Sequence, residues 1–134
     1  MAISEAAQAF LDEKLFGTLA TVSSTGVPAQ VLVWYMRDGD EILVTTQATT
    51  QKVKNIQQTG WASLSISQGP RFLTVRGHAT IDNDPAKTHE DFQRIVRRYL
   101  PPEAADKWIA DAGATVNRVI IHIPAEHVLI PERG

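Results

Sequence analysis

The sequence predicts a mainly β fold, an antiparallel barrel of six strands with a few short flanking helices. Three observations lead there. Five β-branched, apolar runs precede the first long helical pattern, and they are joined by tight turns and one short helix. That order argues against βαβ units, in which helices alternate with parallel strands. In a chain of 134 residues, so many strands leave exposed edges unless the sheet closes, or nearly closes, on itself.

Taken in order, Ser4 is placed to cap a first helix, with Ala7, Phe10, Leu11 and Leu15 on one face and Gly17 as its end. Thr18 to Val22 reads as a strand, and Ser23 to Pro28 is turn chemistry. Gln30 to Met36 is a second, almost continuously apolar strand. The turn Arg37-Asp38-Gly39-Asp40 leads into a third strand over Ile42 to Thr46. A short helix follows, with Thr49 or Thr50 as N-cap, Val53 and Ile56 at helical spacing, and Gly60 as the stop. Trp61 to Ile66 alternates as a half-buried strand does, and Gln68-Gly69-Pro70 turns the chain. Phe72 to Ile81 makes a long fifth strand in which Gly77 marks a bulge or a bend. Asp84-Pro85 opens the long helix, whose buried stripe is Phe92, Ile95, Val96, Tyr99 and Leu100. Pro101-Pro102 breaks it, and Glu103 to Ala112 forms another helix, packed through Ala105, Trp108 and Ile109 and ended by Gly113. Arg118 to Ile123 is the sixth strand, stopped by Pro124, and His127 to Ile130 adds a short extended tail. No repeat or linker divides residues 1–134, so one domain is expected.

Composition removes several function classes. Apolar residues make up 43% and charged residues 21%, an ordinary globular balance. Thirteen basic against fifteen acidic side chains give a net charge of −2, which is no footprint for nucleic acid or anionic lipid. The absence of cysteine excludes disulfides, thiolate metal sites and a cysteine nucleophile, and it fits a reducing cytoplasm. The N-terminus carries acids early and reads as no signal peptide, and no apolar run approaches a membrane span. The four histidines, at 78, 89, 122 and 127, lack metal-ligand spacing, so no metal site is expected. No GxSxG elbow, P-loop or paired carboxylates occur. Trp34, Trp61 and Trp108 are expected in the core or at a subunit interface. With no catalytic acid, base or nucleophile in view, the chemistry points to a cofactor that the protein holds.

One stretch carries a positive signal. Thr45 to Asn55, TTQATTQKVKN, sets four threonines and Lys52 where a strand gives way to a helix. First turns of helices favour acids, so a lysine there is either simply solvated or part of an anion site made with the free N–H groups of the helix start.

The order FGTLATVSSTGVPAQVLVWY, GDEILVTTQATTQKVKNIQQTGWASLSI and RFLTVRGHATIDND resembles the pyridoxamine 5′-phosphate oxidase-like split β-barrel, over roughly residues 15 to 130. The most diagnostic piece is Thr50-Gln51-Lys52 followed by Asn55. The resemblance implies a flavin or deazaflavin whose phosphate is held by Thr50, Gln51 and Lys52. It implies that Thr45, Thr46 and Gln47 line the ribityl chain and that Gln30, Val31 and Val33 support the ring. It also implies a homodimer with sites at the subunit interface. Three positions depart from the vitamin-synthesising oxidase: Val31 and Gln51 stand where arginines are typical, and Phe72 where a glutamine serves FMN. Residues up to Gly134 also lack its C-terminal arginine-histidine segment. The run Arg118 to Val128 looks closer to the deazaflavin branch, which uses coenzyme F420. The expectation is therefore an F420-dependent oxidoreductase acting on a small organic acceptor. The alternatives are an FMN enzyme or a non-catalytic flavin or haem binder on the same barrel.

Overall fold

The computed structural model describes residues 3–113 and 117–131. Among these described residues, nine strands form two antiparallel sheets. The first sheet runs in the order β2 (Pro28–Val33), β1 (Gly17–Val22), β5 (Trp61–Gln68), β6 (Arg71–His78), β9 (His127–Leu129). The second runs β3 (Tyr35–Asp38), β4 (Glu41–Gln47), β8 (Arg118–Pro124), β7 (Thr80–Asp82). Helices α1 (Glu5–Leu11), α2 (Gln51–Thr59), α3 (Pro85–Tyr99) and α4 (Pro102–Gly113) complete it.

The mainly β split arrangement agrees with the sequence, but two expected strands are each divided. The strand expected over 30–36 bends at Trp34, so β2 pairs with β1 while β3 pairs with β4 in the other sheet. The strand expected over 72–81 bends at Ala79, where β6 leaves β5 and β7 joins β8. A continuous apolar run cannot reveal such a corner, because both segments bury one face on the same core. Gly77 lies just before the second bend, where a Cβ would overlap the Pro124 carbonyl oxygen. Its role is close backbone approach.

Inward residues of both sheets, among them Leu19, Leu64, Leu73 and Val75 from one and Ile42, Val44, Ile121 and Ile123 from the other, form a single cluster. Helix α1 plugs it with Ala7, Phe10 and Leu11, and α2 with Ile56. Ser4 caps α1 as expected, its hydroxyl accepting the Ala7 N–H at 3.2 Å. The helix stops at Leu11, not Gly17: Gly17 begins β1, and Leu15 packs on the core from the connecting segment. Arg98 of α3 takes over the α1 end, donating to the Leu11, Asp12 and Glu13 carbonyls while lying over the Tyr35 and Tyr99 rings. A cation there satisfies carbonyls that no helical N–H reaches.

The outer face of the second sheet is covered by α3. Met36, Leu43 and Ile120 pack there against Ile95 and Tyr99. Helix α3 starts on an Asp84 cap, whose side chain accepts the Lys87 N–H at 3.0 Å. Helix α4 packs on α3 through Ala105, with Ile109 beside it. Gly113, the expected stop, is its last residue.

Candidate functional site

Strand β4 ends at Gln47 and α2 begins at Gln51, so the chain turns sharply through Ala48, Thr49 and Thr50. Thr50 occupies the N-cap position with extended backbone, yet its hydroxyl donates back to the Gln47 carbonyl at 3.0 Å and no side chain caps the helix. The first N–H groups of α2 are left for an outside acceptor. Thr46, buried, places its hydroxyl 3.4 Å from that of Thr50.

Lys52 stands in this first turn. Burial, and then the positive charge of Arg118, hold its ammonium below the ordinary lysine value. Arg118 opens β8 directly opposite Gln47, and burial lowers it as well. Its guanidinium lies 4.9 Å over the Phe92 ring. Among the described residues neither cation has an ion-pair partner, and the Arg118 Nε and Thr45 Oγ1 are buried without a hydrogen bond. Two half-buried cations of like sign, beside an uncapped helix start and orphaned donors, disfavour the free protein unless an anion neutralises them.

These groups open onto a groove of about 470 Å³. Thr45, Thr46, Gln47, Thr50 and Lys52 form its polar side together with Arg118. Leu32, Val33, Trp34, Phe92 and Trp108 form its apolar side, and among the described residues no carboxylate lines it. A second hollow of about 250 Å³ adjoins across Lys52, and its lining includes Gln30, Val31 and Gln51.

Nine of the ten sequence-expected residues therefore meet around Lys52. Phe72 does not: it is exposed in the β5–β6 hairpin, opposite Ser67 and away from both hollows. Gln51 is near but committed, since its amide donates to Asn55 Oδ1 at 2.8 Å. Asn55 is buried and donates to Thr21 Oγ1 at 3.0 Å, so it ties α2 to β1 and does not face the groove. Arg118 was not expected at the site, because the pairing of its strand with β4 is a long-range fact. Trp34 packs on the clusters beneath α3, as expected of a core residue, and it also walls the groove together with the more exposed Trp108.

The cations, hydroxyls and helix N–H groups suit a phosphate, and the apolar surfaces of the two hollows suit flat rings. Comparisons with known proteins show what the chain is similar to. A family model described as pyridoxamine 5′-phosphate oxidase matches residues 3–129. The chain is 29% identical over 129 residues to the F420H2-dependent biliverdin reductase of Mycobacterium tuberculosis, spanning 95% of this chain and 87% of that one. A solved structure of an F420 reductase superposes with a TM-score of 0.73 at 27% identity, covering 95% of this chain and 98% of that chain. A conserved hypothetical protein of Mycobacterium tuberculosis superposes at 0.79 with 26% identity, covering 96% and 84%.

Proposed function

Because this chain belongs to the pyridoxamine 5′-phosphate oxidase family, we propose that it is an oxidoreductase working with the deazaflavin coenzyme F420 on a small organic acceptor that is unsaturated or carbonyl-containing. The observation that carries this reading is the unneutralised pair Lys52 and Arg118 beside the uncapped start of α2. Those groups would hold the cofactor's phosphate. Thr45, Thr46 and Gln47 would follow its ribityl chain, and Gln30 to Val33 would support the ring from β2. When bound, the deazaflavin supplies the hydride. The protein's share is to fix the cofactor and acceptor at reacting distance and to exclude water, and no acid or base among its side chains is needed for that. FMN is the alternative cofactor on the same cradle. With Val31 and Gln51 in place of arginines, and Gln51 bonded to Asn55, it would lack part of the expected phosphate grip.

A homodimer belongs to the same proposal. Strand β2 is a sheet edge, yet it leaves Val31 and Leu32 exposed, and Leu129 and Ile130 are exposed at the opposite edge around β9. Edges carrying apolar residues call for cover. A partner lying on β2 would also close the hollow beside Gln30 and Val31. Among the large aromatic residues of the strands, Tyr35 is fully buried and Trp34 walls the groove, while Phe72 is exposed and free to meet such a partner. Among the described residues, no helix is long and apolar enough to cross a membrane. A cytoplasmic location remains part of the proposal.

Anaerobic oxidation of reduced F420, followed by its recovered absorbance with a panel of acceptors, tests the activity. Biliverdin goes first, since the Mycobacterium tuberculosis relative is named for it. Turnover with at least one acceptor is expected. Tight cofactor binding without turnover by any acceptor would instead make the protein a flavin carrier or haem binder.

A further inference from the structure

The groove has an end that the phosphate cradle does not use. Trp34 and Trp108 meet there with ring centroids 5.8 Å apart and planes tilted by 46°, an open aromatic corner. Trp34 is backed by Tyr99 in near-parallel stacking at 5.1 Å, and Tyr99 in turn by Phe16 at 5.8 Å. The Tyr99 hydroxyl donates to the Leu15 carbonyl at 2.7 Å and accepts the Tyr35 N–H at 3.2 Å, so the platform under Trp34 is locked in place. Trp108 is held from the other side. Its helix is anchored by fully buried Ala105 and by the Arg97–Asp106 ion pair at 2.7 Å, yet the indole itself is 44% exposed. A large aromatic kept open on a fixed helix, against a rigid second ring, is preorganised for a third flat partner.

Two hollows meet at Lys52, one of about 470 Å³ and one of about 250 Å³. The larger alone is within the size range of a complete ligand site. With the cofactor ring against β2 in the smaller hollow, as the function proposed above has it, the aromatic corner is left for the acceptor. We propose that Trp108, with Trp34 beneath it, is the specificity-determining surface for the acceptor, and that it selects a planar conjugated molecule over an aliphatic one. This inference rests on that reading of the cofactor's place.

The test is calorimetric binding of 1,4-naphthoquinone and of cyclohex-2-enone to the full chain, with and without oxidised F420. The wild type should prefer the planar probe. Trp108→Leu keeps apolar bulk but removes the π face, and it should weaken naphthoquinone about tenfold, the combined scale of an aromatic pair and its burial. Trp108→Phe should restore most of that loss, and cyclohexenone should barely respond to either change. The F420 affinity should stay within about twofold in both variants, and far-ultraviolet dichroism should confirm their fold. Equal losses for both probes, or no loss for either, would overturn the proposal. So would an F420 affinity that falls in parallel, because Trp108 would then hold the cofactor ring. Failure of the wild type to bind any flavin or deazaflavin is a separate result: it would overturn the proposed function, while the planar selectivity of Trp108 is still read in the cofactor-free titrations.

Discussion

Replacing Lys52 by methionine should weaken cofactor binding and strengthen the free protein. Methionine keeps most of the lysine stem and removes only the charge. In the free protein that charge is half buried beside Arg118, without a carboxylate, so its loss should leave stability unchanged or raise it by roughly 0.5 kcal/mol, the scale of a charge interaction in a partly exposed setting. In the proposed complex the ammonium would donate a hydrogen bond to an anion, and such bonds are worth about 1.5–3 kcal/mol. The dissociation constant should therefore rise about 10- to 150-fold. The pH dependence follows the same logic. A lysine whose folded value lies below its unfolded value, about 10.4, binds fewer protons in the folded state. The free protein should accordingly gain stability as pH rises from that lowered folded value towards the unfolded one. Cofactor binding needs the charged form and should weaken across the same alkaline window. Lys52→Met should abolish both slopes. Fluorescence titration from pH 7 upward and urea denaturation of the free protein read the two effects. A variant that is clearly less stable and binds the cofactor normally would refute the reasoning, because Lys52 would then be structural.

Other positions give sharper tests of the fold. Asn55→Ala leaves Thr21 and Gln51 without their partner inside the α2–β1 contact and should cost about 1–3 kcal/mol in urea denaturation. Gly77→Ala drives a methyl into the Pro124 carbonyl and should cost about 1–3 kcal/mol, or more if β8 cannot shift, by the same measurement. Dimerisation predicts that dilution lowers thermal stability and cofactor affinity together. Sedimentation that finds a cofactor-competent 14.7 kDa monomer at micromolar concentration would contradict it.

What the sequence made legible was local. The Ser4 and Asp84 caps, the left-handed Gly60 stop and the Lys52 anomaly each depend on a few neighbouring residues, and each is found where expected. What stayed hidden depends on distant pairing. Arg118 reaches the site only because β8 lies against β4 with Arg118 opposite Gln47, some seventy residues away in the chain. Trp34 looked like mid-strand core, but it stands at the corner where one strand passes between sheets, and that corner turns its ring into the groove. Phe72 entered only through the resemblance, which implies a glutamine serving FMN at its position. It lies outside the groove.

The most direct test of the central claim is a side-by-side equilibrium titration of the wild-type protein with F420 and FMN. The cradle of Lys52, Arg118 and the open α2 start, with Val31 and Gln51 in place of arginines, predicts F420 at least tenfold tighter, a gap of about 1.4 kcal/mol. Saturable binding of FMN with the smaller constant, or no binding of either, would contradict it.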